Sequence, residues 1–270
     1  MRFADLDLSR RLERAEGLAC REFAEARRHL SPESGAAWME CAGANAVFDG
    51  VDSPVTQSFG LGLFEEATPA SLDQMERFFF DRGAAAVHEV SPLAGVATVE
   101  LLCRRGYRPM ELSNVLYQPL ERSAREDDGD VTVRVIGSEE AQLWAEISAR
   151  GWAHEHPELF DTVLQFGALA SAREHSVCFL AGLDGQPGAA GTLCLHEGVA
   201  VFGGASTVPE MRRRGLQSAL LQARMRYAVA QGCELAMMVS EVGSQSQRNA
   251  ERSGFRIAYT RTKWRLAEQQ

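Results

Sequence analysis

The chain has 270 residues, with 28 basic and 37 acidic side chains and a formal net charge of −9. At roughly 100–200 residues per domain, that length suggests one large or two small domains, and a hydrophobic content of 45% is enough for a packed core. The acidic balance argues against a nucleic-acid binder, which carries a clustered basic footprint. No run approaches the ~18 apolar residues of a membrane span, and the charged N-terminus lacks the apolar stretch of a signal peptide.

Cys20, Cys41, Cys103, Cys178, Cys194 and Cys233 form no CxxC pair and lie in apolar or helical patterns. They read as reduced, buried thiols of a cytoplasmic protein, not as a disulfide framework or a zinc site.

In chain order, residues 6–30 predict a helix with Leu12, Ala15, Ala19, Phe23 and Ala26 on one face. Two apolar, small-residue runs follow at 38–48 and 55–64. A helix at 71–82, a strand at 84–90, a helix at 96–105 and a strand at 107–117 complete the first half. The segment 121–130, ERSAREDDGD, is charged and nearly devoid of apolar residues. It reads as a linker between a domain at 1–120 and one at 131–270; the other reading is a long polar turn within one domain.

After it, the alternating 131–136 predicts a strand and Ser138 caps a helix carrying Leu143, Trp144 and Ile147. A second helix is expected at 157–173, strands at 176–185 and 188–198 around Asp184–Pro187, and a strand at 199–208. A long helix at 214–231 has Leu216, Leu220, Ala223, Tyr227 and Ala230 as its expected buried face, ended by Gly232. A strand at 233–240, a helix at 246–253 and a strand at 255–266 close the chain.

Residues 95–108 and 243–256 align at an offset of 148: Gly95 with Gly243, Arg104 with Arg252, Gly106 with Gly254, Tyr107 with Phe255 and Arg108 with Arg256. With the similar element order, this reads as a duplication. The halves differ at one strand-to-helix turn. The second has Arg212, Arg213, Arg214, Gly215, Leu216, Gln217 and Ser218, where the first has Phe64 to Pro69, including Glu65 and Glu66. A helix start offers unpaired N–H donors and partial positive charge, which suit a pyrophosphate. Two glutamates repel an anion and proline has no N–H, so an anion site is expected in the second half alone. The spacing of the turn is neither that of a P-loop nor that of a dinucleotide fingerprint.

This turn resembles the signature of the GNAT superfamily of acetyl-CoA-dependent N-acetyltransferases, [Q/R]-x-x-G-x-[G/A], read here as Arg212-x-x-Gly215-x-Gln217 with a departure at the last position. The segment 243–255 resembles the superfamily's second CoA-contacting region, which ends in a Gly-Phe pair. The resemblance covers about residues 131–270, and the first half resembles a degenerate copy. It implies an α+β fold of two tandem GNAT-like domains, each a central mixed β-sheet flanked by helices.

The resemblance also implies acetyl-CoA as acyl donor and an amine of a small molecule or peptide as acceptor, attacked directly. Thr207 and Val208 would lie along the pantetheine arm, with a bulge between this strand and the next polarising the acetyl carbonyl. Ser244, Arg248 and Asn249 are further candidates for contact with CoA. Glu197 and Glu241 are candidate bases, though each reads more readily as a solvated loop carboxylate. Many relatives have a tyrosine four residues before the Gly of Gly-Phe, where this chain has Ala250; Ser244, Tyr259 or solvent would have to protonate the thiolate. Trp152, in the stretch 151–157, would line the acceptor pocket. His154, Glu155 and His156 show no third ligand, so no metal is expected. The negative net charge favours a cationic acceptor. No nucleic-acid or membrane partner is expected, and the chain would be a monomer or a homodimer. Two further readings stand beside the enzyme: a non-catalytic CoA-binding or regulatory module, suggested by the missing tyrosine, and a two-domain scaffold without a cofactor.

Overall fold

A computed structural model describes residues 4–121, 130–154 and 157–267. The expected linker at 121–130 falls almost wholly outside them, as do Glu155 and His156. The chain forms two compact units: Met1–Tyr117 with Val239–Gln270, and Gln118–Met238.

The first unit opens with α1 (Leu6–Leu30), whose N-cap Asp5 accepts from the Leu8 N–H at 2.9 Å. The strands β1 (Ala37–Cys41), β2 (Ala44–Phe48) and β3 (Gln57–Phe59) follow. Next come α2 (Pro69–Phe80), β4 (Val87–Val90), α3 (Gly95–Arg104) and β5 (Tyr107–Pro119). Its core is built from Leu72, Met75, Phe79, Leu102 and Trp264.

Trp264 belongs to β11 (Arg256–Leu266), the last strand of the chain. The sequence places it with the second domain, but it lies between β4 and β5, antiparallel to both, so the unit's strands run β1-β2-β3-β4-β11-β5. The reason is tertiary. Arg261 is 2% exposed and meets Glu13 at 3.3 Å, Glu16 at 2.5 Å and Glu89 at 3.1 Å. Tyr259 donates its hydroxyl to Glu13 at 3.0 Å. A strand carrying a buried guanidinium has to lie where carboxylates receive it.

The second unit contains β6 (Thr132–Val135), α4 (Ala141–Trp152) and α5 (Phe160–Ala172). It continues with β7 (Ser176–Leu183), β8 (Gln186–His196), β9 (Val199–Thr207), α6 (Leu216–Ala230) and the start of β10 (Leu235–Glu241). The strands run β10-β9-β8-β7-β6, with β10 parallel to β9 and the rest antiparallel. Trp144 of α4 is buried and donates its indole N–H to the Phe179 carbonyl at 3.0 Å. A short helix, α7 (Gln245–Arg252), lies in the first unit between β10 and β11.

The buried face of α6 differs from the expected one. Leu216, Ala219, Leu220, Leu221, Arg224 and Ala228 are buried, whereas Ala230 is exposed. Apolar spacing alone misses this, because a fully buried arginine is part of the stripe. The six cysteines are free thiols; Cys103 is exposed and Cys20 half-buried, against the expectation that all are buried. Burial pushes the Cys178 thiol up to about 12. Among the described residues, no helix is long and apolar enough to cross a membrane.

Candidate functional site

The site is built at the end of β9. Thr207 and Val208 are buried, and the Val208 N–H bonds back to the Gly188 carbonyl at 2.9 Å. Pro209–Met211 makes one short helical turn, then the chain passes through Arg212, Arg213 and Arg214 to Gly215, the N-cap of α6. Arg213 and Gly215 both have left-handed backbone, with φ of +63° and +86°. Gly215 offers no side-chain cap. The first backbone N–H of the helix to find an acceptor is that of Ala219, at Gly215 O, 3.0 Å away. The N–H groups from Arg213 to Ser218 have no acceptor among the described residues. Consecutive free amides at a helix start, with two exposed arginines beside them, are an anion cradle.

The other signature residues brace this turn. Arg212 donates to the carbonyls of Thr207 at 3.3 Å and Gly151 at 3.2 Å, fixing the loop against the end of α4. Gln217, which departs from the family pattern, donates to Thr207 Oγ1 at 2.8 Å. A Cβ on Gly188 would come within 2.0 Å of Met211 Sδ, and one on Gly151 within 2.6 Å of the Ser206 side chain, so both glycines let the loop and α4 close on β9. Leu216 is buried and anchors the first turn of α6, and Ser218 is exposed.

Beside the loop, β9 has an open edge. Its parallel pairing with β10 runs from Val199 with Leu235 to Val201 with Met237, and among the described residues Phe202–Thr207 have no strand partner on that side. On its other side, two residues, Gly204 and Ala205, oppose the single Gly191 of β8. The bulge therefore lies between β9 and the strand before it, where the sequence reading put it towards the strand after. Arg224 fills the space behind this bulge. Its guanidinium donates to Thr192 O at 3.0 Å and Gly203 O at 3.4 Å, and a Cβ on Gly191 would meet it at 3.1 Å. Burial pushes Arg224 down to about 9.

The family model of the acetyltransferase (GNAT) family matches residues 141–255. Likeness in fold extends over most of the chain. A GCN5-related N-acetyltransferase from Kribbella flavida is 18% identical with a TM-score of 0.65, covering 93% of this chain and 96% of its own. Another from Sphaerobacter thermophilus is 17% identical with a TM-score of 0.55, covering 77% and 71%. A tandem GNAT protein from the clavulanic acid biosynthesis pathway is 13% identical with a TM-score of 0.58, covering 84% and 79%. No curated protein matches the chain. The architecture is that of a mixed α+β GNAT fold in tandem.

The corresponding turn of the first half is closed in a different way. Thr68 caps α2 by accepting from the Ser71 N–H at 3.1 Å, and the Ser71 hydroxyl receives the Thr68 N–H at 2.9 Å. Pro69 occupies the first helical position and Glu65 and Glu66 are exposed beside it. This capping box satisfies in cis the N-cap and N3 amides of α2, whose counterparts in α6, those of Gly215 and Ser218, are left free. The repeat at an offset of 148 is visible in the backbone too: Gly106 and Gly254 both have positive φ and end α3 and α7 ahead of β5 and β11.

The remaining sequence candidates are scattered. Glu197 sits in the β8–β9 hairpin with φ of +48°, at the opposite end of β9 from the GNAT loop. The eight steps from Val199 to Thr207 at ~3.3 Å each span about 26 Å, so Glu197, beyond the far end of the strand, is not brought to the site. Trp152 ends α4, is 55% exposed, and follows the Gly151 carbonyl that holds Arg212. Glu241 ends β10 and is exposed. Ser244 is the N-cap of α7, accepting from the Gln247 N–H at 3.2 Å, while Arg248 and Asn249 are exposed on that helix. Gln247, absent from the sequence reading, organises this turn: its Oε1 accepts from the Gly243 N–H at 2.7 Å and from Asn114 Nδ2 at 3.0 Å.

Tyr259 does not fit the role of acid. It is buried, its hydroxyl is given to Glu13, and burial followed by the Glu13 charge holds its pKa well above the ordinary tyrosine value. Tyr259→Phe is therefore expected to leave turnover within about twofold of wild type while lowering stability by about 1–3 kcal/mol, the cost of an unpaired buried partner. Steady-state thiol release and urea unfolding on the same preparation check both halves of this expectation.

Proposed function

We propose that the chain is an acetyl-CoA-dependent N-acetyltransferase that moves an acetyl group to a primary amine of a small molecule or peptide in a ternary complex. The observation that carries this is the row of free N–H groups from Arg213 to Ser218 at the start of α6. They fit the pyrophosphate of CoA, with Arg213 and Arg214 adding charge-assisted hydrogen bonds. The amides of a pantetheine arm fit the open edge of β9 next to Thr207 as an added strand would. Arg212 and Gln217 act by holding Thr207 and the loop in place.

The thioester supplies an acetyl carbonyl open to direct attack. An amine of pKa ~10 is mostly protonated near neutrality, so a base has to take its proton. Of the two carboxylates named from sequence, Glu241 is the one we assign; Glu197 is too far along β9. The departing thiol of pKa ~8.5 leaves with the help of solvent and not of Tyr259. Ser244, Arg248 and Asn249 are assigned to the CoA side of the reaction, and Trp152 to the acceptor side.

The test is release of free thiol from acetyl-CoA in the presence of a panel of polyamines, aminoglycosides and lysyl peptides. Release that depends on an added amine, and falls by about 100-fold in Glu241→Gln, is the expected result. Acetyl-CoA binding with no amine-dependent release under any condition would instead favour the non-catalytic reading that the absent tyrosine suggests.

A further inference from the structure

We propose a second ligand site, on the first unit, for a phosphoryl-bearing small molecule held by Arg108 and Arg265. A groove of about 1490 Å³ is lined by both arginines, by Gln57 and by the apolar Phe80, Val87 and Met110. Arg265 and Arg108 are direct partners across the antiparallel pair of β11 and β5. Directly opposed residues of such a pair stand about 5 Å apart, and like charges there repel.

The register shows that this repulsion is built in. Thr262 pairs with Leu112 and Lys263 with Glu111, a register that continued unbroken would set Arg265 beside Pro109. A shift between Lys263 and Trp264 moves Trp264 onto Pro109 and Arg265 onto Arg108. Bulges of this kind re-aim side chains next to sites.

The other cations of the groove are already neutralised. Arg105 meets Asp73 and Glu76 at 2.5 Å, Lys263 meets Glu111 at 2.8 Å and Glu89 at 3.4 Å, and Arg104 meets Glu100 at 3.6 Å. Arg108 and Arg265 are exposed and have neither an ion pair nor a hydrogen bond among the described residues. Asp52 lines the same groove and makes no ion pair with either. Two guanidinium forks on directly opposed residues of one groove can converge on a phosphoryl dianion, which one ammonium would not grip in the same planar, bidentate way. The apolar wall leaves room for the organic part of the ligand.

The probe is inorganic pyrophosphate, followed by thermal shift and calorimetry at low ionic strength on wild type, Arg108→Ala, Arg265→Ala and Gly215→Val. Gly215 belongs to the separate anion cradle of the second unit, so this variant removes that response and leaves the groove intact. The expected result is a pyrophosphate response that persists in Gly215→Val, weakens by roughly tenfold or more in each arginine variant, and fades with added salt. Without ligand, both arginine variants should melt no lower than wild type, since they relieve a repulsion. A response that vanishes in Gly215→Val alone, or that survives both arginine substitutions, overturns the proposal. So does a lowered melting temperature of the unliganded arginine variants, which would make the pair structural.

Discussion

Gly215→Val is expected to remove acetyl-CoA binding and to leave the protein folded. The two halves of that expectation come from different features of one residue. Gly215 has a φ of +86°, a region that costs a branched residue about 1–2 kcal/mol, so valine forces the turn into another conformation. A Cβ at this position meets nothing within 4 Å, so no core contact is broken and the loss of stability stays near that strain. Binding suffers far more. The free N–H groups from Arg213 to Ser218 are aligned only while the backbone keeps its left-handed steps at Arg213 and Gly215. Their dispersal is expected to weaken acetyl-CoA by about 100-fold or more, equivalent to about 2.7 kcal/mol. Calorimetric titration beside a urea denaturation curve separates the two effects. Arg212→Ala belongs in the same series: its guanidinium braces Thr207 and Gly151, so it should weaken binding less and destabilise the loop.

The largest loss of stability is expected at Arg261. This guanidinium is buried among Glu13, Glu16 and Glu89, and Arg261→Met strands three carboxylates. Breaking a buried pair from one side costs about 3–5 kcal/mol, enough to unfold a marginal domain. Burial also pushes the Glu13 carboxyl up from its ordinary 4.5 to about 7, against the pull of Arg261 and the Tyr259 hydroxyl and with the push of Glu16 and Glu89. A carboxyl raised in the folded state keeps its proton longer there than in the unfolded chain. Its contribution is therefore fully present below about 4.5 and is lost as pH rises through about 7. Urea midpoints measured from pH 5 to 8 should fall with rising pH in wild type, and the slope should flatten in Glu13→Gln. A flat wild-type profile would contradict the protonated state assigned to Glu13.

The sequence made the cradle readable because everything in it is local: a strand end, a run of arginines and a glycine before a helix. The same holds for most elements. The spacing at 6–30 and the small-residue strands at 199–208 carry their own periodicity, and the observed bounds of α1 and β9 follow them closely. Three features could not be read that way. Arg224 looks like a surface residue of α6, and only the bulge of β9 and the bare Gly191 make a buried place for it. Glu197 is near the signature in number but is separated from it by the whole length of an extended strand. The place of β11 depends on contacts between residues 246 and 248 positions apart, Tyr259 and Arg261 with Glu13, which no local pattern encodes. Tyr259 was a reasonable acid by residue type and becomes a structural hydroxyl once its partner is known.

The two halves also explain each other. Where α6 begins with a glycine and free amides, α2 begins with Thr68, Pro69 and Ser71 in a closed capping box. The two halves of the tandem fold thus differ at this turn: one helix start leaves its amides free and the other is capped by its own side chains.

The measurement that tests this most directly is a calorimetric titration of the wild-type chain with acetyl-CoA. One saturable site per chain is the expected result, since the second cradle is capped from within. No binding would contradict the assignment of the turn at Gly215, and two equivalent sites would contradict the reading of the first half.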